Sequence, residues 1–139
     1  MIVKIGVVVA IKNTENKFLV IKRAPHDTFS GIWEFPCGGL EIEDENLVSA
    51  AIREVKEETS LKITNVKSLG FNDRIDNKKS KRVIMLHFYS NNFEGEVKLT
   101  KDHSDFKWLS KEEILSMKPS KDIGIDSYLL LKSLKTLTE

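Results

Sequence analysis

The sequence predicts one α/β domain with a mixed β-sheet, covering residues 1–139. Three observations support this. Short runs rich in β-branched residues recur along the chain, two longer segments carry the apolar spacing of helices, and the two kinds interleave. No linker, repeat or low-complexity stretch separates them, so they are expected to share one core.

The elements follow in order. "IVKIGVVVAI" and "KFLVIKRA" flank the polar turn "KNTENK" and read as a two-stranded hairpin. "APHDTFSG" is a loop, and "IWEF" a short strand stopped by Pro36. "CGGLEIEDEN" is a turn-rich acidic connection, with a helix starting near Asp44–Asn46 and running through "LVSAAIREVKEET". Strands are expected around "LKITNVKSLGF" and "RVIMLHFYSNNF", separated by the polar turn "NDRIDNKKSK". "EVKLT" and "DFKWLS" read as further strands around the loop "KDHS". "SKEEILSM" begins with the Ser-x-x-Glu of a capped helix at Ser110 and Glu113. "DSYLLLKSLKTL" closes the chain as an amphipathic helix.

Composition excludes several classes. The apolar fraction of 40% and the charged fraction of 31% are those of a globular protein. The net charge is +1 with both signs interspersed, so neither a basic tail for DNA nor a polybasic membrane anchor is present. The longest apolar run, Ile5–Ile11, falls short of the roughly 20 residues of a membrane span, and its flanks do not read as a signal peptide. Cys37 is the sole cysteine, so no disulfide framework exists and a reducing, cytoplasmic compartment is expected.

The stretch "AAIREVKEETSL" carries the chemistry. Like charges at i,i+4 oppose a helix by about 0.2–0.5 kcal/mol per pair, yet Glu54, Glu57 and Glu58 crowd one turn behind Arg53. At about 100° per residue, Leu47, Val48, Ala51, Ile52 and Val55 form one broad apolar face. The three glutamates fill a sector bordering it, which places them at the rim of the core. Carboxylates gathered at a shielded site suit a hard divalent cation such as Mg²⁺, which takes oxygen ligands, keeps several waters and shares substrate phosphates. The alternative is an ordinary solvated helix surface.

Spacing narrows this. Counted from Gly39, the chain carries Gly39, Glu45, Arg53, Glu54, Val55, Glu57, Glu58 and Leu61, preceded by "GIWEFPCGG". This resembles the Nudix box, G-x5-E-x7-R-E-U-x-E-E-x-G-U with U a bulky aliphatic residue, and its lead-in in MutT-like members. The resemblance implies a Nudix-type α/β/α sandwich. It also implies Mg²⁺-dependent hydrolysis, with Mn²⁺ as an alternative ion, of a nucleoside diphosphate linked to another moiety. Two departures stand out. Ser60 replaces the box glycine that ends the helix in relatives; left-handed Ser costs about 1 kcal/mol and removes no ligand. The loop "PCGGLEIEDE" holds one extra residue, with Asp44 where relatives have Gly. The backbone carbonyl that binds metal in the family is therefore assigned to Gly38, with Cys37 the other candidate.

By the same resemblance, Glu54 and Glu58 are the principal metal ligands, with Glu57 supporting, and Arg53 holds a carboxylate in place. Glu45 serves either the helix dipole or the site. The general base is Glu54 or a late-loop acid that maps to Asp102. Arg23 matches a substrate-contacting Arg, and Phe35 either lines the nucleoside pocket or packs in the core. Trp33 and Trp108 are expected to pack, and no His/Cys spacing suggests zinc. Members specific for ADP-ribose carry a Pro, and those for diadenosine polyphosphates a Tyr, downstream of the box. The matching Asp76–Lys78 holds neither. The expectation is thus a MutT-like pyrophosphohydrolase of nucleoside triphosphates, yielding a monophosphate and pyrophosphate. "SMKPSKDIG" lacks the Asn with which MutT members read oxidised guanine, and the base stays open. Alternatives are another nucleoside-diphosphate substrate (a nucleotide sugar or capped RNA) or a silent nucleotide sensor, although silent members usually lose box carboxylates. Neither DNA binding nor membrane association is expected, and exposed strand edges are compatible with a homodimer.

Overall fold

The computed structural model describes residues 1–134. Its backbone runs β1 (Ile2–Ile11), β2 (Lys17–Arg23), β3 (Trp33–Glu34), β4 (Cys37–Gly39), α1 (Leu47–Thr59), β5 (Lys62–Thr64), β6 (Lys67–Asp76), β7 (Lys81–Ser90), β8 (Asn92–Glu94), β9 (His103–Ser110), α2 (Lys111–Leu115) and α3 (Ile125–Ser133). A mixed sheet has the order β4-β1-β7-β6, an antiparallel sheet the order β3-β2-β9, and β5 pairs with β8.

Side-chain alternation on two strands builds both halves of the interior. Val8 and Ala10 of β1, with Phe18 and Val20 of β2, pack against Ile114 of α2 and Leu130 and Leu131 of α3. The intervening Val7, Val9 and Ile11, with Leu19 and Ile21, pack against Ala50, Ala51 and Val55 of α1. The sheets are thus covered by α1 on one face and by α2 and α3 on the other, the α/β/α sandwich. Each fully buried aliphatic side chain contributes about 1.5–3 kcal/mol of transfer energy. No helix among the described residues is long and apolar enough to cross a membrane.

Several expectations need correction. β1 and β2 pair only beside their turn, at the Lys12–Phe18 bridge, and then part into different sheets. β1 instead pairs in parallel with β7 over its whole length and antiparallel with β4. Both faces of its second half are buried, which a simple hairpin would not allow. The segment after Pro36 is not all turn, since Cys37–Gly39 joins the mixed sheet as β4. The polar stretch 72–81 is mostly ladder: β6 extends to Asp76 because Asn72 and Arg74 find partners on α3. "EVKLT" forms no strand. The predicted last helix appears as α3, and the part of it beyond residue 134 lies outside the described residues.

α1 starts where Asn46 leaves helical geometry. Its side chain accepts from Ser49 N at 2.8 Å, while Ser49 Oγ accepts from Asn46 N at 2.9 Å. This reciprocal cap is worth about 1 kcal/mol. The helix ends at Ser60, whose φ of 69° is left-handed and whose N–H donates to Lys56 O. The buried face is rotated from the expected one. Ala50, Ala51, Glu54, Val55 and Thr59 point inward, while Leu47 is 46% exposed. The short, acidic loop entering α1 is tied down at Asp44, which fixes the helix's roll.

Because Ser60 pays a left-handed strain that glycine does not, Ser60→Gly should raise stability by about 0.5–1 kcal/mol, read from the urea midpoint. Turnover should not change.

Candidate active site

Two glycines shape the site. Gly38 in β4 lies against the carboxylate of Glu54, so that a Cβ at this position would overlap the carboxylate itself. On the neighbouring strand, a Cβ at Gly6 would stand 2.7 Å from Gly38 O. Side chains at either position would close the space between β1, β4 and α1. Glu58, one turn on from Glu54, accepts a hydrogen bond from Cys37 N at 3.0 Å. Two box carboxylates thus press against the backbone of β4.

Arg53 organises the acidic residues. Its Nε and Nη2 donate to the two oxygens of Asp44 at 2.7 and 3.0 Å, and Nη2 also donates to Gly39 O at 3.0 Å. Nη1 donates to Glu54 Oε1 at 2.8 Å and to Glu57 Oε2 at 3.2 Å. Asp44, the residue that departs from the family pattern, is therefore the far anchor of this clamp. The hydrogen bonds from Arg53 hold the Asp44 carboxyl below its usual range, and those to Asp44 keep the guanidinium firmly charged.

The glutamates divide. Burial pushes Glu58 up to about 9, with the Glu34 and Glu54 carboxylates adding to the effect. Burial also raises Glu54, and Arg53 opposes it. Glu57 does not join them: its side chain is 54% exposed on Arg53's outer side. A buried carboxylate from elsewhere takes the neighbouring place. Glu34 is 6% exposed; Oε1 accepts from Arg23 Nε at 3.1 Å, and Oε2 lies 2.9 Å from His103 Nε2. Sequence reasoning missed it, though an acid alternating with aromatics in "WEF" was the available signal.

The remaining candidates are placed as follows. Arg23 also donates to Asp27 Oδ1 at 2.7 Å and sits 5.6 Å from the Phe29 ring centroid. Burial opposes its charge, and the Glu34 and Asp27 carboxylates overcome that opposition. Phe35 is fully buried, its ring 6.0 Å from that of Phe18, and faces the core. Asp102 is 60% exposed and stands 3.6 Å from His26. Its neighbour His103 reaches inward to Glu34 instead. Glu45 precedes the cap and takes no part in it, since Asn46 and Ser49 close the helix end.

Beside the glycines a cleft of about 310 Å³ opens between β6, β7 and α3. Phe29, Ile32, Val83, Met85 and Ile125 give it apolar walls, and Arg23, Arg74, Lys4, Lys79 and Lys81 outnumber Asp76 and Asp126 among its charged lining. Glu34, Cys37 and Gly38 border it, so the cleft reaches the Glu34 carboxylate and the β4 backbone against which Glu54 and Glu58 lie.

The pattern that defines the NUDIX domain matches residues 3–130. The chain belongs to the Nudix family. Its similarity to a CTP pyrophosphohydrolase of Escherichia coli (strain K12) is 32% identity over 112 residues, 80% of this chain and 79% of that protein. An RNA pyrophosphohydrolase of Pelagibacter ubique (strain HTCC1062) is 40% identical over 57 residues, which span 41% of this chain and 34% of that one. The crystal structure of the MutT protein from Methanosarcina mazei Go1 superposes with a TM-score of 0.83 at 25% identity, covering 99% of this chain and 97% of the other. This Nudix hydrolase is MutT-like in fold and in motif.

Nudix hydrolases generally use divalent metal ions, and the donors here can be tested against that need. Among the described residues, no three His, Cys, Asp or Glu side chains form a ready cage. A Mg²⁺-type ion does not require one, because water and substrate phosphates complete its shell. What the Nudix protein offers is hard oxygen: the carboxylates of Glu54 and Glu58 beside the Gly38 backbone, in a space that only glycine leaves open. Buried carboxylates pushed toward protonation are also what an ion would relieve. The residues fit the group.

Gly38→Ala should force the Glu54 carboxylate aside and lower turnover by about 100-fold. An alanine variant with wild-type kcat would show that the close approach is not needed.

Proposed function

We propose that this Nudix hydrolase is a Mg²⁺-dependent pyrophosphohydrolase of nucleoside triphosphates, or related nucleoside diphosphate derivatives, releasing a nucleoside monophosphate and pyrophosphate. The observation that carries this reading is the close approach of the buried Glu54 carboxylate to Gly38, which lines the cleft, with Glu58 bonded to the adjoining Cys37 N–H. The pyrophosphohydrolase relatives support the reaction class.

Glu54, Glu58 and the carbonyl of Gly38 would hold the metal, which when bound supplies charge neutralisation on the phosphates and an acidified water. The chain's own groups do the rest. Arg23, charged and fixed by Glu34 and Asp27, faces the cleft where it can hold a phosphate oxygen. Glu54, aimed by Arg53, accepts the proton of the attacking water as its oxygen bonds to phosphorus and the pyrophosphate oxygen departs. Glu54 is favoured over Asp102 as base because Asp102 lies exposed beside His26, whereas Glu54 is buried against Gly38. Arg53 remains a positioning residue.

The experiment is a nucleotide panel with Mg²⁺, following monophosphate and pyrophosphate. Glu54→Gln and Glu58→Gln should each lower kcat by at least about 100-fold, while Glu57→Gln, changed at an exposed carboxylate, should cost only a few-fold. Chelation with EDTA should stop turnover and added Mg²⁺ restore it. Full activity in Glu58→Gln would overturn the site, and nucleotide binding without turnover would favour a sensor.

A further inference from the structure

The bond between His103 and Glu34 has no part in the proposed reaction, yet three features of the chain converge on it. The first is backbone register. β2 lies between β3 and β9. Phe106 pairs with Ile21 and Asp105 with Lys22, but Arg23 pairs with His103 and not with Ser104. That one-residue slip puts His103 on the face that carries Arg23, and bulges of this kind re-aim a side chain. Glu34 arrives from the other side of β2, where it pairs with Ile21. Three strands thus bring three polar side chains to one place.

The second feature is the division of the Glu34 carboxylate. His103 and Glu34 are both buried, and Nε2 lies 2.9 Å from Oε2. An ionised carboxylate only accepts, so Nε2 carries the proton. Oε2 is thereby held, and Oε1 is left to take Arg23 Nε at 3.1 Å. The third feature is a cost. His103 Nδ1 is buried and has no hydrogen-bond partner among the described residues. Buried polar atoms nearly always find one, so stability alone would not select a histidine here. What the ring supplies is a donor that reaches Glu34.

The consequence falls on Arg23. Of its five N–H donors, Nε is spent on Glu34 and one at Nη1 on Asp27, which leaves three. A guanidinium gripped at two points has a fixed plane, and Arg23 and Glu34 both line the cleft. Were Glu34 to turn, Arg23 would pivot on Asp27 alone, a residue of the loop after β2. His103 opposes that turn, because it would strip a buried carboxylate oxygen of its donor. Resting on the nucleotide reading above, we propose that His103 is a positioning residue. Through Glu34 it holds the Arg23 guanidinium at the angle that receives a substrate phosphate.

The test is a double-mutant cycle over wild type, His103→Leu, Arg23→Ala and the two changes together. Initial rates on ATP, GTP, CTP and UTP with Mg²⁺ give kcat and KM, and calorimetric titration gives each Kd with no need for turnover. His103→Leu should lower kcat/KM by about 10- to 100-fold. Arg23→Ala should lower it at least as much, and the double variant no further than Arg23→Ala alone. His103→Gln, whose amide nitrogen stands near the place of Nε2, should recover most of the loss. Losses that multiply in the double variant, full activity in His103→Leu, or no recovery in His103→Gln would each overturn the proposal and leave the pyrophosphohydrolase reading intact. The same coupling in Kd, with no turnover of any nucleotide, would support the proposal and defeat that reading instead. Neither binding nor turnover of any nucleotide would defeat both. If His103→Leu does not fold, His103→Asn, with its amide one carbon shorter, takes its place in the cycle.

Discussion

The arrangement depends on one guanidinium. Arg53 connects the loop before α1, through Asp44 and Gly39 O, to the carboxylates of α1 itself. Without that cation, Glu54 and Glu57 would repel each other on adjacent turns, and the loop before α1 would keep only the Cys37–Glu58 hydrogen bond as a charge-assisted tie to the helix. With it, Glu54 is held in the narrow space beside Gly38, and the roll of α1 about its axis is set. That roll carries Glu54 into the buried face and leaves Leu47 and Val48 partly exposed. Helix orientation here answers to an ion-pair network as well as to apolar burial.

A second constraint comes from the parting of β1 and β2. The second half of β1 and the middle of β2 are buried on both faces, and each feeds alternate side chains to the two cores. Separate sheets let β1 take β4 and β7 as neighbours while β2 takes β3 and β9. β3 and β4, separated only by Phe35 and Pro36, then belong to different sheets. Glu34 and Gly38 are brought to the cleft from either side of that crossing. The "WEFPCGG" segment is thus the seam at which both sheets contribute to the site.

Much of this was legible in the sequence, for identifiable reasons. β-branched runs and the spacing of α1 revealed the strands and the helix, and the box spacing marked the turn of α1 that carries Glu54, Glu57 and Glu58, two of which lie against β4. The hairpin reading of β1 and β2 failed because short-range turn chemistry says nothing about which distant strand a residue finally pairs with. Asn72 and Arg74 looked like turn residues since their polarity is satisfied by Asp126, more than 50 positions away. Glu34 escaped notice, and so did the pairing of Asp44 with Arg53, for the same reason: a shielded charge announces itself only through its partner. Glu57 was grouped with its neighbours by helical geometry, which cannot tell an inward carboxylate from one drawn outward by Arg53.

The graded burial of β1 has a consequence for motion. Its first four residues are exposed and the next six buried, so its amide protons should exchange with solvent in two regimes. Those near Lys4 need only local fraying of the ladder to β7, whereas those from Val7 to Ile11 wait for opening of the whole domain. Lys4 lines the cleft, so the looser end of the strand adjoins its mouth. The firmer end is packed under α1, and breathing at the mouth can occur without disturbing the carboxylates.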